Sequence, residues 1–208
     1  MDSEARSQPG GKVLADALAA AFTLRNLPNL LTMARIAAIP VIVWLLHDPS
    51  PGTALVTFVV FLVASITDFL DGYIARRYGL VSALGQLLDP LADKLLVVSA
   101  LIMIALADWE PSLPAWLLVI IIGRELAVTG LRSIAATEGI VLGAEASGKL
   151  KMILQLIGVH ALIIHYTYFG ISFHSVGMFT LLASAVVGVW SAVEYHMQVF
   201  RAMAAKPD

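Results

Sequence analysis

The sequence contains no cysteine, and Asp, Glu, Lys and Arg together make up only 13% of its 208 residues. The missing thiols exclude disulfides and thiolate metal sites. A net charge of −2 shows none of the basic surplus that is typical of nucleic-acid binding. With 59% hydrophobic residues and so little charge, the composition indicates an integral membrane protein rather than a soluble domain.

Six apolar runs follow one another along the chain, each close to the ~20 residues that cross a bilayer. They are Leu30–Leu46, Thr53–Ala75, Leu84–Ala107, Leu113–Ala135, Lys149–Tyr168 and Ser172–Val199. The predicted fold class is therefore all-α, an integral membrane bundle of six transmembrane helices. The segment KVLADALAAAFTLR before the first run predicts a short N-terminal interfacial helix, with a partly ordered tail as the equal alternative.

The basic residues lie in alternate breaks between the runs. Arg76 and Arg77 fill the second break, and Arg132, Lys149 and Lys151 border the fourth, whereas the first, third and fifth breaks contain no Lys or Arg. The positive-inside rule then predicts a multi-pass protein of the cytoplasmic (inner) membrane with both termini and the active site on the cytoplasmic side. The predicted domains are an N-terminal tail over 1–28, a six-helix domain over 29–200 and a C-terminal tail over 201–208.

Asp68, Asp71, Asp89 and Asp93 flank the second break. An Asp at mid-bilayer costs ~2.5–3.5 kcal/mol, and four together approach ~10 kcal/mol, so a ligand or protons must compensate them. The spacings i,i+3 and i,i+4 put each pair on one helix face, and the short break makes the two helices neighbours. Carboxylate oxygens suit Mg²⁺, and two ions ~3.5–4 Å apart can clamp a phosphoryl displacement.

Each pair also has a plainer explanation. Asp89 before Pro90 could cap a helix, and Asp93 could be a first-turn acid that the helix dipole favours. Asp68 and Asp71 could belong to an ion pathway. Residue by residue, these explanations are as good as metal binding, so the joint pattern must decide.

That pattern is D-x2-D-G-x2-A-R-x8-G-x3-D-x3-D, which runs from Asp68 to Asp93 without a gap or substitution. Its fixed positions between the aspartates are Gly72, Ala75, Arg76 and Gly85. The pattern resembles the signature of the CDP-alcohol phosphatidyltransferases, integral membrane enzymes with six transmembrane helices. The helix number of that family agrees with the six apolar runs.

The resemblance implies a reaction and a role for each motif residue. Such enzymes use Mg²⁺ or Mn²⁺, with two ions expected, to transfer a phosphatidyl group from CDP-diacylglycerol to an alcohol with release of CMP. The implied metal ligands are Asp68, Asp71, Asp89 and Asp93. Asp93 is also the implied base for the acceptor hydroxyl. The residues expected at CDP-diacylglycerol are Asn29, Thr32, Asp68, Asp71, Gly72, Ala75, Arg76 and Gly85. The five histidines lie outside the motif and are expected to be structural.

A second polar group bears on the acceptor. Arg124 and Arg132 lie on the fourth run, and Lys149 and Lys151 open the fifth. Arg suits bidentate phosphate contacts and Lys supplies a compact charge, so all four are candidates to bind a phosphorylated acceptor. Alternatively, the last three could snorkel to lipid headgroups, the explanation slightly favoured for Lys151, and Arg124 could pair with Glu125. Because adjacent helical residues point ~100° apart, anion binding is the preferred interpretation of Arg124.

Four segments narrow the resemblance: NLPNLLTMARI, LGQLLDPLADK, GRELAVTGLRS and SGKLKM. They are similar to family members whose acceptor is sn-glycerol 3-phosphate, and its phosphate suits the basic residues. In the first segment Asn29, Thr32 and Arg35 recur every third residue, and family analogy places nucleotide contacts there. Helix capping at Asn29 and snorkelling by Arg35 are the alternatives.

Two other functions stay open. The acceptor could be phosphatidylglycerol, inositol phosphate or serine, although serine has no phosphate for the basic residues. Outside the enzyme class, intramembrane acids could mark a divalent-cation transporter, but transporters favour broken helices and sites near the midplane. The predicted partners are CDP-diacylglycerol, sn-glycerol 3-phosphate, membrane lipids and, by family analogy, a second copy of the chain.

Overall fold

A computed structural model of the chain describes residues 27–78, 83–140, 143 and 146–205, with side chains described for 29–67, 88–140, 143 and 146–205. This part is mostly helical. Its helices are α1 (Leu27–Leu45), α2 (Pro51–Tyr78), α3 (Ala83–Leu106), α4 (Ala115–Thr137), α5 (Ala146–Ile164) and α6 (Phe173–Ala204). Two short strands, β1 (Thr167–Tyr168) and β2 (Ile171–Ser172), lie between α5 and α6.

The helices follow the six predicted runs in order, which confirms a predominantly α-helical fold. Within the described ranges, α5 and α6 are long and apolar enough to cross a membrane, and shorter apolar helical stretches cover Asn29–Leu45 and Pro51–Thr67. Helix α4 is continuous over its 23 residues, but Arg124, Glu125 and Arg132 interrupt its apolar sequence. Six membrane crossings therefore remain a prediction. The predicted interfacial helix lies outside the described residues.

A reciprocal cap begins α2. The Ser50 hydroxyl accepts a hydrogen bond from the Thr53 N–H at 3.2 Å, and the Ser50 N–H donates to the Thr53 hydroxyl at 2.6 Å. This is a capping box in which threonine replaces the usual Glu or Gln. Pro51 adds a first helical residue that has no N–H to satisfy. The break HDPSPG therefore separates α1 from α2 and begins α2 through its own local hydrogen bonds.

The fifth predicted run is longer than the helix that forms there. The residue after α5, His165, has a left-handed φ of 59°, and the chain then enters an antiparallel strand pair. Phe169 and Gly170 connect the strands with φ values of 53° and 76°, as a two-residue type I′ turn requires. Helix α5 therefore ends at Ile164, and the hairpin takes up the last residues of the predicted run Lys149–Tyr168.

The chain divides into two compact units. Of the described residues, one unit comprises those up to Pro40 together with those within Leu62–Leu96, and the other comprises Val41–Phe61 together with those from Val97 onward. All four motif aspartates belong to the first unit, and all four candidate phosphate-binding basic residues belong to the second.

In the second unit, α6 packs most extensively against α5 and also against α4. The α5–α6 contact is close because glycine occupies both sides of it: a Cβ added at Gly177 would lie 2.8 Å from the backbone N of Leu162, and one added at Gly158 would lie 3.0 Å from that of Leu181. The α4–α6 contact is centred on the buried residues Val128, Ala135, Tyr195 and Val199.

Large apolar side chains cover the outside of the described helices. Trp44, Phe179 and Trp190 are 75%, 73% and 70% exposed. Contiguous exposed apolar surface is disfavoured in water and matches a hydrocarbon solvent. Together with the apolar helices, this surface indicates a membrane protein.

Candidate active site

The motif spans the end of α2 and the beginning of α3. Asp68 and Asp71 fall toward the end of α2, and Asp89 and Asp93 lie one turn apart within α3. Regular helix at both places keeps the spacing that puts each pair on one face. The side chains of Asp68, Asp71, Gly72, Ala75, Arg76 and Gly85 lie outside the described set. Convergence of the four carboxylates therefore stays a prediction.

The plainer explanations of Asp89 and Asp93 are wrong. Helix α3 begins at Ala83, so Asp89 lies inside the helix rather than at its N-cap, and Pro90 is an interior proline. The first turn of α3 contains no acidic residue. Helix capping and the helix dipole therefore do not account for these two carboxylates, which are both partly exposed.

Helix α1 contributes a hydroxyl to the motif. The side chain of Thr32 is buried, and its Oγ1 donates a hydrogen bond to Oδ1 of Asp89. This contact joins one of the predicted CDP-diacylglycerol residues to one of the predicted metal ligands. Asn29, one turn before Thr32, is partly buried.

The alternative that Arg35 snorkels to the lipid headgroups is wrong. Its side chain is only 1% exposed, and its Nε donates to the carbonyl of Ala64 at 3.4 Å. The Thr67 hydroxyl donates to the same carbonyl at 2.8 Å. Arg35 thus places a buried positive charge one helical turn before Asp68. Its helical spacing from Thr32 was the only available sign of this role.

Two of the four basic candidates lie together through Glu125, which the sequence suggested only as an alternative partner of Arg124. Glu125 Oε1 lies 3.0 Å from Nη1 of Arg124 and also contacts Nζ of Lys151 on α5. The side chains of Arg124, Glu125 and Lys151 are 12%, 16% and 9% exposed. The alternative of a salt bridge between Arg124 and Glu125 is therefore correct, and Lys151 does not snorkel.

Helix α6 completes the surroundings of these charges. Arg124 donates from Nε to the Gly188 carbonyl at 3.1 Å and from Nη2 to the Ser191 hydroxyl at 3.3 Å. The Ser184 hydroxyl donates to the backbone carbonyl of Lys151 at 2.9 Å. A guanidinium has five N–H donors, so these bonds and the Glu125 contact leave Arg124 with donors for a further acceptor.

The other two basic candidates have different surroundings. Arg132 is exposed, and its guanidinium carbon lies 5.6 Å from the centroid of the Tyr195 ring, a cation–π arrangement. Lys149 is exposed. The described contacts therefore group Arg124 with Lys151, but they do not bring Arg132 or Lys149 to that pair.

Three of the described histidines pack against, or lie close to, other side chains. His160 packs edge-on against Phe58 and Phe61. His165 and His174 approach through their Nδ1 atoms at 3.2 Å, between the end of α5 and the beginning of α6. Burial, and secondly the neighbouring His174, lower the pKa of His165 below its ordinary value, which favours a neutral ring.

Metal-binding potential rests on the motif aspartates. Among the side chains that the structure describes, no three His, Cys, Asp or Glu residues form a group able to hold an ion. Two of the four expected ligands, Asp68 and Asp71, are outside that set. The two that are described, Asp89 and Asp93, are partly exposed carboxylates, the donor type that Mg²⁺ and Mn²⁺ prefer.

Comparison with known proteins bears directly on the motif. Residues 25–190 match the family model for CDP-alcohol phosphatidyltransferase. The CDP-diacylglycerol–glycerol-3-phosphate 3-phosphatidyltransferase of Bacillus subtilis (strain 168) is 39% identical over 193 residues, covering 86% of this chain and 97% of the relative. The protein of the same name from Rickettsia bellii (strain RML369-C) is 43% identical over 139 residues, covering 67% of this chain and 75% of the relative.

A plant relative has a different name. The cardiolipin synthase (CMP-forming) of Oryza sativa subsp. japonica is 35% identical over 192 residues, covering 86% of this chain and 58% of the relative. The family match contains the whole motif and all four basic candidates. The resemblance predicted from the motif is thus confirmed: the chain belongs to the CDP-alcohol phosphatidyltransferase family and is a transferase of phospholipid biosynthesis.

Proposed function

We propose that this enzyme transfers the phosphatidyl group of CDP-diacylglycerol to sn-glycerol 3-phosphate, giving phosphatidylglycerol phosphate and CMP. The observation that carries this choice of acceptor is the buried group Arg124–Glu125–Lys151, in which two cations share one carboxylate oxygen. Two cations and one carboxylate give the group a net positive charge, which would attract an anionic phosphate. The names of the Bacillus and Rickettsia relatives contain the same donor and acceptor.

The donor half of the reaction is assigned to the motif. Asp68, Asp71, Asp89 and Asp93 would hold divalent cations, on which this family generally depends. A divalent cation held there would neutralise the charge that builds up on the departing CMP. The remaining residues proposed to contact CDP-diacylglycerol are Asn29, Thr32, Gly72, Ala75, Arg76 and Gly85. The bond from Thr32 to Asp89 would orient one ligand oxygen before the donor binds.

Asp93 is the proposed base. Its carboxylate would take the proton of the acceptor hydroxyl while the hydroxyl oxygen attacks the phosphorus of the phosphatidyl group. The bond between that phosphorus and the CMP oxygen breaks, and CMP leaves with the electron pair. The motif provides no separate nucleophile, so we propose one direct displacement. Exchange of labelled CMP into CDP-diacylglycerol without an acceptor would indicate a phosphatidyl-enzyme instead.

The acceptor phosphate is assigned to the basic residues of the second unit. Arg124 and Lys151 are the proposed principal contacts because they are buried and close together. Arg132 and Lys149 are proposed as outer contacts that attract the anion. The bundle would cross the inner membrane six times, with both termini and the reaction on the cytoplasmic side. A homodimer is proposed by family analogy.

The alternative acceptor that a specific comparison favours is phosphatidylglycerol. Similarity to the plant cardiolipin synthase extends over 86% of this chain. Phosphatidylglycerol carries a phosphodiester with one negative charge, whereas sn-glycerol 3-phosphate carries a phosphomonoester. A site with surplus positive charge and several N–H donors favours the more highly charged monoester.

A panel of acceptors tests the proposal. Purified enzyme receives CDP-diacylglycerol and Mg²⁺ with sn-glycerol 3-phosphate, phosphatidylglycerol, inositol phosphate or serine, and CMP release is followed. We expect rapid release only with sn-glycerol 3-phosphate. Faster release with phosphatidylglycerol would make the alternative correct. Flux of divalent cations in proteoliposomes without CMP release from any member would favour the transporter.

A further inference from the structure

Glu125 joins two helices of the second unit through a single oxygen. Its Oε1 accepts from Nη1 of Arg124 on its own helix, and the same oxygen contacts Nζ of Lys151 on α5. All three side chains are more than four-fifths buried. Buried charges are costly unless they are paired and hydrogen-bonded, so the three groups depend on one another.

The position of the carboxylate determines where the two cations lie. Arg124 and Lys151 carry like charges and would repel each other in a poorly solvated place. Because both contact the same Glu125 oxygen, they are held side by side with their charged ends converging on one point. The group keeps a net charge of about +1, counting two cations and one carboxylate at neutral pH.

Helix α6 limits the space available to the cations from the other side. Gly188 accepts from Arg124 Nε at 3.1 Å, and a Cβ added at Gly188 would lie 3.2 Å from Cγ of Lys151 and 3.7 Å from Nε of Arg124. Gly188 and Ala192 form a pair of small residues four positions apart, a spacing suited to close helix contacts. Gly188 makes such a contact within this chain, with Arg124 and Lys151. A methyl group at position 188 would therefore crowd the stem of Lys151, whereas it would be in ordinary van der Waals contact with Arg124.

We propose that Glu125 is a positioning residue for the acceptor phosphate: its carboxylate fixes Arg124 and Lys151 as a preformed pair that the phosphate then contacts. Glu125 itself does not touch the substrate and acts through the two cations. The inference rests on the proposed function, which assigns the acceptor phosphate to these cations. Glu125 would thus increase the affinity for the acceptor phosphate by positioning the two cations, although its own negative charge repels an anion.

The first test is Glu125→Gln in the full-length enzyme. The amide keeps the size of the side chain but removes the charge that holds two cations. We expect the KM for sn-glycerol 3-phosphate to rise about tenfold, because a tenfold change corresponds to the loss of one charge-assisted contact. The kcat and the KM for CDP-diacylglycerol should stay within about twofold, because those steps use the motif. Glu125→Asp keeps the charge on a shorter stem and should recover part of the loss.

The matched control is Glu194→Gln, the same substitution on α6, where Glu194 accepts from the Ser147 hydroxyl at 3.3 Å. We expect it to leave the KM for sn-glycerol 3-phosphate unchanged. An equal KM in the two Gln variants would overturn the positioning role. So would a Glu125→Gln variant that lost kcat and affinity for CDP-diacylglycerol to the same extent as affinity for the acceptor, because that result would indicate a general structural role.

A second variant decides the question if Glu125→Gln fails to fold. Gly188→Ala crowds the stem of Lys151 without changing any charge, and Gly130→Ala is its control because a Cβ at Gly130 meets nothing within 4 Å. A selective rise in the acceptor KM with Gly188→Ala alone would support the geometry, and no difference would overturn it. Arg124→Ala separates the two levels: if it raises the acceptor KM while Glu125→Gln does not, only the role of Glu125 is wrong. If neither does, the proposed acceptor subsite is wrong.

Discussion

Thr32 on α1 donates a hydrogen bond to Asp89 on α3, across 57 positions of sequence. Thr32 is almost fully buried, whereas Asp89 is partly exposed. A carboxylate has about four lone-pair sites, so one bond from a hydroxyl orients the group and leaves acceptor capacity for a further ligand. The contact joins the polar face of α1, which contains Asn29, Thr32 and Arg35, to the aspartate motif. From the sequence alone these are two separate features.

Replacing Thr32 with valine should impair use of the donor. Valine has nearly the same shape but cannot donate to Asp89, and a hydrogen bond to a charged group contributes ~1.5–3 kcal/mol. We expect kcat/KM for CDP-diacylglycerol to fall by about 10- to 100-fold at saturating acceptor. Thr32→Ser retains the hydroxyl and should keep most of the activity. A fully active Thr32→Val enzyme would show that the contact has no catalytic importance.

Asp93→Asn should separate chemistry from binding. The amide cannot take the proton of the acceptor hydroxyl, and a positioned base contributes about 10²- to 10⁴-fold to rate. We expect kcat to fall by that order, while binding of CDP-diacylglycerol, measured directly with a labelled donor, stays substantial. Asp108→Asn, at the break between α3 and α4, provides a matched control. Near-normal turnover in Asp93→Asn would remove it from the role of base.

Metal removal should abolish turnover reversibly. With a chelator present, the carboxylates of Asp68, Asp71, Asp89 and Asp93 lose the cations proposed to neutralise charge on the departing CMP. We expect CMP release to stop, and Mg²⁺ or Mn²⁺ added in excess to restore it. Ca²⁺ prefers more ligands at longer distances, so it should restore less. Turnover that continues at full rate in the chelator would contradict the whole assignment of the motif.

Features that depend on a short stretch of sequence, such as the positions of the helices and the aspartate motif, were predictable. The apolar runs located the helices, because long uninterrupted hydrophobic segments have few alternatives, and the motif identified the family. The predicted run Lys149–Tyr168 overran the end of α5 because apolar residues continue beyond Ile164, whereas the backbone leaves the helix at His165, with a left-handed φ of 59°, and enters the strand pair. That departure depends on backbone conformation, which hydropathy does not report.

Long-range polar contacts could not be predicted in the same way. Arg35 and Lys151 were candidates for snorkelling, yet both are buried by helices distant in sequence. For Arg124, anion binding was preferred to a salt bridge with Glu125 because neighbouring side chains diverge. The long arginine side chain nevertheless reaches Glu125 and also Ser191, 67 positions away. In the sequence, the pairing of Glu125 was indicated by its position inside an apolar run, where an unpaired charge costs free energy.

Arg124→Ala should raise the Michaelis constant for the acceptor. The substitution removes one of the two buried cations and leaves Glu125 paired with Lys151 alone, so the surplus positive charge of the group disappears. We expect the KM for sn-glycerol 3-phosphate to rise by about 10- to 100-fold, with a smaller effect on kcat. Initial rates at varied acceptor and saturating donor measure it. Arg201→Ala, in the last turn of α6, should have no such effect, and an unchanged KM in Arg124→Ala would show that the acceptor phosphate binds elsewhere.

Gly177→Ala should destabilise the contact between α5 and α6. The added Cβ would lie 2.7 Å from Cγ of Leu162 and 2.8 Å from its backbone N, and a helix backbone cannot move locally to relieve such a clash. Overpacking of this kind costs ~1–3 kcal/mol, and for a chain of this length each kcal/mol lowers Tm by roughly 2–4 °C. The control is Gly123→Ala on α4, where an added Cβ meets nothing within 4 Å. Alanine stabilises an exposed helix position by ~1 kcal/mol relative to glycine, so this variant should unfold at the same temperature or higher. Thermal unfolding of both variants in one detergent makes the comparison, and equal transitions would mean that the α5–α6 contact is looser than the glycine spacing requires.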